Sequence, residues 1–390
     1  MNDLDVLWAF LVAGVVALAL TPLAARLARR VGAVALPRER DLHDGPMPRL
    51  GGLAILAGVL VAGILFLPAT IEMRGILGGA IAIAIVGAVD DARPGGLNPV
   101  VKLAGQFAAA AIPVACDVRV ENVTLPFVDP LDFGAWGYPL TLVGIVAVMN
   151  VVNFTDGVDG LAAGVCTIAA ATFAIIALSL DRVDPAILAA ATAGAAVGFL
   201  RHNFHPASVF MGDSGSNLLG LLLACIAIQG VLKTAAVVAL FFPLVILAVP
   251  AADATFVVAK RIKYRRPVYS ADSWHFHHRF ANIGFSQRRT VLYLYGWTLS
   301  LAALALAMRF VPYSDDDGTF NLGWALVIVA FGLVALAASL YLVVVLEILK
   351  FRRFRERQLR RSGEGMSDRE IEAEIEREVE TGEFDAVGPP

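Results

Sequence analysis

Charge is scarce in this chain. Of its 390 residues, 17% are Asp, Glu, Lys or Arg and 58% are hydrophobic, whereas a soluble globular domain carries about 25% charged residues. So much apolar side chain points to lipid as a second solvent. Cysteine is scarce as well. Cys116, Cys166 and Cys225 are scattered and no CxxC occurs, which argues against a disulfide framework or a cysteine-built metal site. The formal net charge is only -3, so no basic excess calls for nucleic acid as a partner. No internal repeat is evident, so an inverted-repeat architecture has no support. The first apolar run, 6–25, has no basic stretch before it, and Arg26, Arg29 and Arg30 follow it. That pattern reads as a retained anchor and not a cleaved leader.

What the chain does have is long apolar runs. A membrane-crossing helix needs roughly 20 such residues. Runs near 5–25, 51–69, 75–89, 99–116, 136–152, 160–180, 185–200, 215–231, 235–258, 290–311 and 321–349 predict an all-α integral membrane protein with about eleven transmembrane helices. Of the 31 Lys and Arg, 26 fall in the connections after the odd-numbered helices and 5 on the opposite face. Basic residues stay on the cytoplasmic side. The N-terminus is therefore expected outside and the C-terminus in the cytoplasm. Residues 1–350 form the expected membrane domain. Residues 351–390 form a cytoplasmic tail, basic and then acidic, in which Ser367 and Glu370 make a capping box before a thin apolar stripe of Ile371, Ile375 and Val379.

The polar residues are not spread evenly. Five clusters, at 43–52 (HDGPMPRLGG), 90–102 (DDARPGGLNPVVK), 150–161 (NVVNFTDGVDGL), 210–216 (FMGDSGS) and 272–280 (DSWHFHHRF), each lie at the end of an apolar run. The charge-derived topology puts all five on one face, although nothing in the charge count required it. Ionisable groups gathered at a membrane surface cost free energy and call for a function.

Each cluster suits a part of one chemistry. Adjacent Asp90 and Asp91 repel each other unless a cation sits between them, so one is a candidate metal ligand and the other a base or supporting group. Asn150, Asn153, Asp156 and Asp159 recur every three residues and, if helical, make one slowly turning stripe. Their amides and the nearby glycines suit phosphate and a planar base. Asp213 is a hard oxygen ligand at a helix start, where phosphate also binds, and Phe210 flanks it. His275, His277 and His278, with Arg279, suit zinc or a diphosphate. Arg49, with His43 in the same cluster, can grip phosphate bidentately, and Lys102 can snorkel to the interface or meet a phosphate. Hard acids for Mg²⁺ and basic groups for phosphates at a lipid surface together indicate phosphoryl transfer between a nucleotide-linked donor and a lipid.

These five motifs, in this order, resemble the polyprenyl-phosphate N-acetylhexosamine-1-phosphate transferase family, glycosyltransferase family 4. They look closest to its undecaprenyl/decaprenyl-phosphate N-acetylglucosamine-1-phosphate transferase branch. The resemblance covers residues 1–350. It implies an eleven-helix membrane fold and a reaction dependent on Mg²⁺, with Mn²⁺ as an alternative. UDP-N-acetylhexosamine would give its sugar 1-phosphate to a polyprenyl phosphate at the cytoplasmic face, with release of UMP. By motif, Asp90 and Asp91 take the places of the paired catalytic aspartates and Asp213 that of a metal-binding aspartate. Asn153, Asp156 and Asp159 fall in the nucleotide and active-site loop, and His275, His277 and His278 in the histidine motif near the donor. Phe276 interrupts the histidine run, as in the N-acetylglucosamine branch, where the peptidoglycan branch has three consecutive histidines. The N-acetylglucosamine branch also tends to have Arg-Gly where this chain has Ser273 and Trp274.

Three alternatives remain. The nearest is the peptidoglycan-branch phospho-MurNAc-pentapeptide transferase. A secondary transporter would place ionisable groups near the bilayer midplane, but the helix interiors are almost free of charge, and Asp253, the main exception, lies near the end of the run 235–258. A prenyltransferase would use an acidic pair but leave the histidines unexplained. A homodimer is left open.

Overall fold

The computed structural model describes residues 3–35, 45–123, 131–232, 286–312 and 321–341. Among them are ten α-helices: α1 Asp3–Val31, α2 Gly51–Phe66, α3 Ile71–Ala92, α4 Pro99–Ala115, α5 Gly137–Thr155, α6 Leu161–Ser179, α7 Val183–Asn203, α8 Gly212–Ala227, α9 Gln287–Phe310 and α10 Leu322–Leu340. Two short antiparallel ladders join them, β1 Val34–Ala35 with β2 Met47–Pro48 and β3 Asn122–Val123 with β4 Leu131–Asp132. Each of the ten helices coincides with one of the expected runs. The expected helix 235–258, the tail 351–390, His43, Asp253 and the histidine cluster at 275, 277 and 278 with Arg279 lie outside the described residues.

Seven of these helices are long and apolar enough to cross a membrane, and α2 and α4 are shorter apolar helices. The described residues are thus almost wholly helical, and the protein is a multi-pass membrane protein. Helix ends depart from the apolar runs for local reasons. The α3 helix starts earlier than its apolar run because Thr70 accepts a hydrogen bond from the Met73 N–H and caps it. Asn98 caps α4 in the same way through the Val100 N–H, and Pro99 occupies the first turn, where its missing N–H costs nothing. The α1 helix runs past its apolar stretch through the arginines to Val31, because polar side chains at a membrane boundary leave the backbone bonds of a helix intact.

The helix α8 is the central stave. From Ser214 to Ala227 every residue is buried, and the helix is packed by α2, α3, α5, α6 and α7. A second group forms where α1 lies on α2 and α7; Ala9, Ala13 and Ala17, four residues apart, let the backbones approach closely. At the periphery, α9 joins α6 and carries α10. Tyr295 donates its hydroxyl to the Gly160 carbonyl at 2.5 Å, and the Arg309 Nε donates to the Ser179 Oγ at 2.8 Å, so α6 holds α9 at both ends. The α10 helix exposes Leu326, Val329, Leu333, Val334 and Leu336, the pattern expected of a helix facing lipid chains.

Candidate active site

Four of the five polar clusters meet where α2, α4 and α8 begin and α3 and α5 end. Glycine makes the approach. A Cβ on Gly87 of α3 would overlap the backbone of Asp213 and Ser214, so α8 starts directly against α3. One turn later, the Asp91 Oδ1 accepts the Asp213 N–H at 3.0 Å and its Oδ2 accepts the Ser214 N–H at 3.1 Å. A carboxylate from another helix thereby caps α8 and complements the positive end of its dipole. This cap is why α8 begins at Gly212, ahead of its apolar run. Asp91 is 8% exposed, and both its oxygens are engaged by backbone.

The cluster at 43–52 is joined to 210–216 by backbone. The Phe210 N–H donates to the Pro48 carbonyl at 2.8 Å, and the N–H groups of Gly51 and Gly52 donate to the carbonyls of Phe210 and Met211 at 3.1 and 2.9 Å. Exposed Arg49 lies beside this seam and acts electrostatically on Asp91 and Asp156. Phe210 is half-buried next to it.

Asp213 is the hub. The Lys102 ammonium pairs with its Oδ2 and lies 3.8 Å from the Asp90 Oδ2. Asn153 donates from Nδ2 to the Asp213 Oδ1 at 2.8 Å and to the Ser216 Oγ at 2.9 Å. Asp90 in turn accepts the Leu97 N–H at 2.5 Å. That bond folds the turn between α3 and α4, with Gly95 and Gly96 at φ +82° and +74°, back over its carboxylate and brings Lys102 within reach. Asp90, Lys102, Asn153 and Asp213 thus form one contact set, with Asp91 behind it.

The stripe expected at 150–159 divides. Asn150 and Asn153 share a face of α5, but the helix ends at Thr155. Asp156 sits on the C-cap. Burial pushes its carboxyl well above the usual carboxylate range, and the charges of Asp213 and Asp91 push the same way. Asp159 is buried and faces the connection between α7 and α8: its Oδ2 meets the His205 Nδ1 and the Ala207 N–H, each at 3.0 Å. Asn203 ties the same two loops, accepting the Gly160 N–H at 3.0 Å and donating to the Val209 carbonyl at 3.0 Å. Asp159 therefore anchors the loop leading to Phe210. Asn150 bonds to the α4 residue Gln106, its Nδ2 donating to the Gln106 Oε1 at 2.9 Å.

Sequence reasoning missed Gln106, Asn203, His205 and Asn217. Two of these had a legible signal. Gln106 is one turn beyond Lys102 and Asn217 one turn beyond Asp213, each a polar residue on an otherwise apolar helix.

The residues present fit a hard divalent cation in part. Among the described residues no group of three or more His, Cys, Asp or Glu could hold a metal alone. Yet the Lys102 ammonium already sits as a positive charge against Asp213 and near Asp90. Mg²⁺ is usually held by one or two carboxylates plus substrate phosphates. Asp213 and Asp90 would supply the carboxylate part of such a coordination shell.

A protein-family model described as glycosyl transferase family 4 matches residues 73–231, which include Asp90 through Asp213. The chain is 38% identical over 303 residues to a Bacillus subtilis (strain 168) protein named "Probable undecaprenyl-phosphate N-acetylglucosaminyl 1-phosphate transferase", covering 76% of this chain and 84% of that one. It is 36% identical over 345 residues to the "Decaprenyl-phosphate N-acetylglucosaminephosphotransferase" of Mycobacterium leprae (strain TN), covering 80% and 86%. It is also 36% identical, over 298 residues, to the "Phospho-N-acetylmuramoyl-pentapeptide-transferase" of Desulforudis audaxviator (strain MP104C), covering 69% and 86%.

Proposed function

We propose that this chain, which belongs to glycosyl transferase family 4, transfers N-acetylglucosamine 1-phosphate from UDP-N-acetylglucosamine to a polyprenyl phosphate and releases UMP. The observation that carries the reading is the single cluster of Asp90, Lys102, Asn153 and Asp213 at the ends of membrane helices. It sets acidic and basic groups where a lipid phosphate and a soluble nucleotide can meet. In the balanced step, a phosphate oxygen of the lipid forms a bond to the β-phosphorus of the donor. The bond from that phosphorus to the bridging oxygen breaks, and UMP leaves with the electron pair.

Asp213, with Asp90, would hold Mg²⁺, which when bound neutralises charge on the donor diphosphate. Lys102, already at both carboxylates, is placed to move onto a phosphate oxygen. Asn153 fixes the rotamer of Asp213 through its amide. Arg49, at the exposed edge of the seam, grips a phosphate oxygen, and Phe210 offers an apolar face to the nucleotide. Asp91 acts by holding α8. His43, His275, His277, His278 and Arg279 complete the donor side in this reading. The reaction begins a cell-envelope polysaccharide at the cytoplasmic face of the plasma membrane.

The relatives include peptidoglycan-branch enzymes, so donor choice is the first test. Purified protein with Mg²⁺ and polyprenyl phosphate is expected to release UMP from UDP-N-acetylglucosamine. It should be far slower with the UDP-muramyl-pentapeptide donor. The reverse preference moves the chain to the peptidoglycan branch.

The orientation has its own test, because the excess of basic residues at one set of helix ends predicts a cytoplasmic site. With the native cysteines replaced by Ala, Arg182→Cys is expected to react with an impermeant thiol reagent applied to intact cells, and Pro94→Cys is not. Labelling of Pro94→Cys from outside overturns the cytoplasmic site.

A further inference from the structure

Below the acidic cluster, three amides cross the bundle. Asn150 on α5 donates to the Gln106 Oε1 on α4 at 2.9 Å. The Gln106 Nε2 donates to the Asn217 Oδ1 on α8 at 2.7 Å. The Asn217 Nδ2 donates to the Asp213 carbonyl at 2.8 Å. Gln106 and Asn217 are each 1% exposed. The Gln106 Nε2 also donates back to the Asn150 Oδ1 at 3.4 Å, and the last bond of the series ends on the backbone of Asp213.

We propose that Gln106 and Asn217 are positioning residues of the transfer reaction, forming with Asn150 an amide relay that fixes the depth and rotation of Asp213 against Lys102 and Asn153. The inference rests on the reading of Asp213 as the metal-holding carboxylate.

Three features argue for more than general packing. First, the relay joins the three helices that supply the hub: α4 carries Lys102, α5 carries Asn153 and α8 carries Asp213. Each relay amide lies three or four residues from its hub residue on the same helix, namely Lys102 and Gln106, Asn153 and Asn150, Asp213 and Asn217. A shift of any one helix along its axis breaks a relay bond and moves a hub residue by the same amount. Second, Asp213 is gripped at both ends of its residue: Asp91 takes its N–H and Asn217 takes its carbonyl. Third, a buried amide left without its partner is costly, and linked hydrogen bonds polarise one another. The relay is therefore stiff where an all-apolar contact would slide.

Removing such supporting hydrogen bonds around a metal ligand typically weakens metal binding by about 10–100-fold. The test is Mn²⁺ binding to the full-length protein in detergent, read by electron paramagnetic resonance with UDP-N-acetylglucosamine present and lipid absent. Asp213→Ala should lose the binding. Gln106→Leu and Asn217→Leu should weaken it about tenfold or more, and Asn150→Leu less, because it leaves the last two bonds intact. Thr192→Val, which removes a buried hydroxyl bonded to Leu188 of its own helix, supplies the control for lost stability. It should lower the melting temperature with no change in Mn²⁺ affinity. Gln106→Met serves in place of Gln106→Leu should that variant not fold. Wild-type affinity in the Gln106 and Asn217 variants, with Asp213→Ala impaired, overturns the relay alone. Wild-type affinity in Asp213→Ala overturns the reading on which it rests.

Discussion

Asp213→Asn is expected to reduce turnover about a hundred- to a thousandfold while leaving the fold in place. The magnitude is that of removing one preorganised charged group from a transition-state environment. The substitution conserves shape, and an Asn at this position still accepts from the Asn153 amide. It fails on the other side, where an NH₂ group meets the Lys102 ammonium, so a donor faces a donor. The negative charge that pairs Lys102 and would hold a cation with Asp90 is gone. Stability should change little, because Asp91 and Asn217 grip the backbone of this residue and not its side chain. Steady-state UMP release across a Mg²⁺ series, with a thermal melt alongside, separates the two effects. Near-normal turnover at limiting Mg²⁺ contradicts the assignment.

The second large effect is steric. Gly212 has φ +72°, a conformation that favours glycine. A Cβ there would overlap both the Arg49 carbonyl and the Asp91 carboxylate. Gly212→Ala must therefore either push apart the seam that carries Arg49 or displace the carboxylate that caps α8, and both move Asp213. Turnover should fall to near background, and the melting temperature should drop. Gly95 is the matched control. It too has positive φ, at +82°, but a Cβ there would meet nothing within 4 Å. Gly95→Ala should cost only backbone strain, roughly 1–2 kcal/mol, and keep most of its activity. Equal activities in the two variants contradict the tight three-way contact at Gly212.

The helices were legible because a transmembrane helix writes its length into an unbroken apolar run, and ten runs became helices at their expected places. The hub residues were legible as well, since Asp90, Lys102, Asn153 and Asp213 stand where such runs end. Roles within the site were harder to read. Asp90 and Asp91 are neighbours in sequence, but a helix turns about 100° per residue. One therefore faces Lys102 and the other the first turn of α8. Asp156 and Asp159 continue the spacing of Asn150 and Asn153 on paper, yet the helix stops at Thr155. Asp159 then turns to a loop nearly fifty residues later in the chain, a pairing no local pattern reveals. Gln106 and Asn217 stand out in the sequence as polar residues within apolar runs, but their role does not. Their partners lie on other helices, so only the packed bundle shows why two amides are buried there.

The most direct test follows the donor's β-phosphorus. UDP-N-acetylglucosamine labelled with ³²P at the β-position is incubated with purified protein, Mg²⁺ and polyprenyl phosphate, and the organic and aqueous phases are counted. Transfer of the sugar 1-phosphate predicts label in the lipid, as a diphosphate-linked N-acetylglucosamine, with unlabelled UMP in water. Label that stays in water as UDP while the sugar reaches the lipid would mean attack at the sugar carbon and would contradict the account.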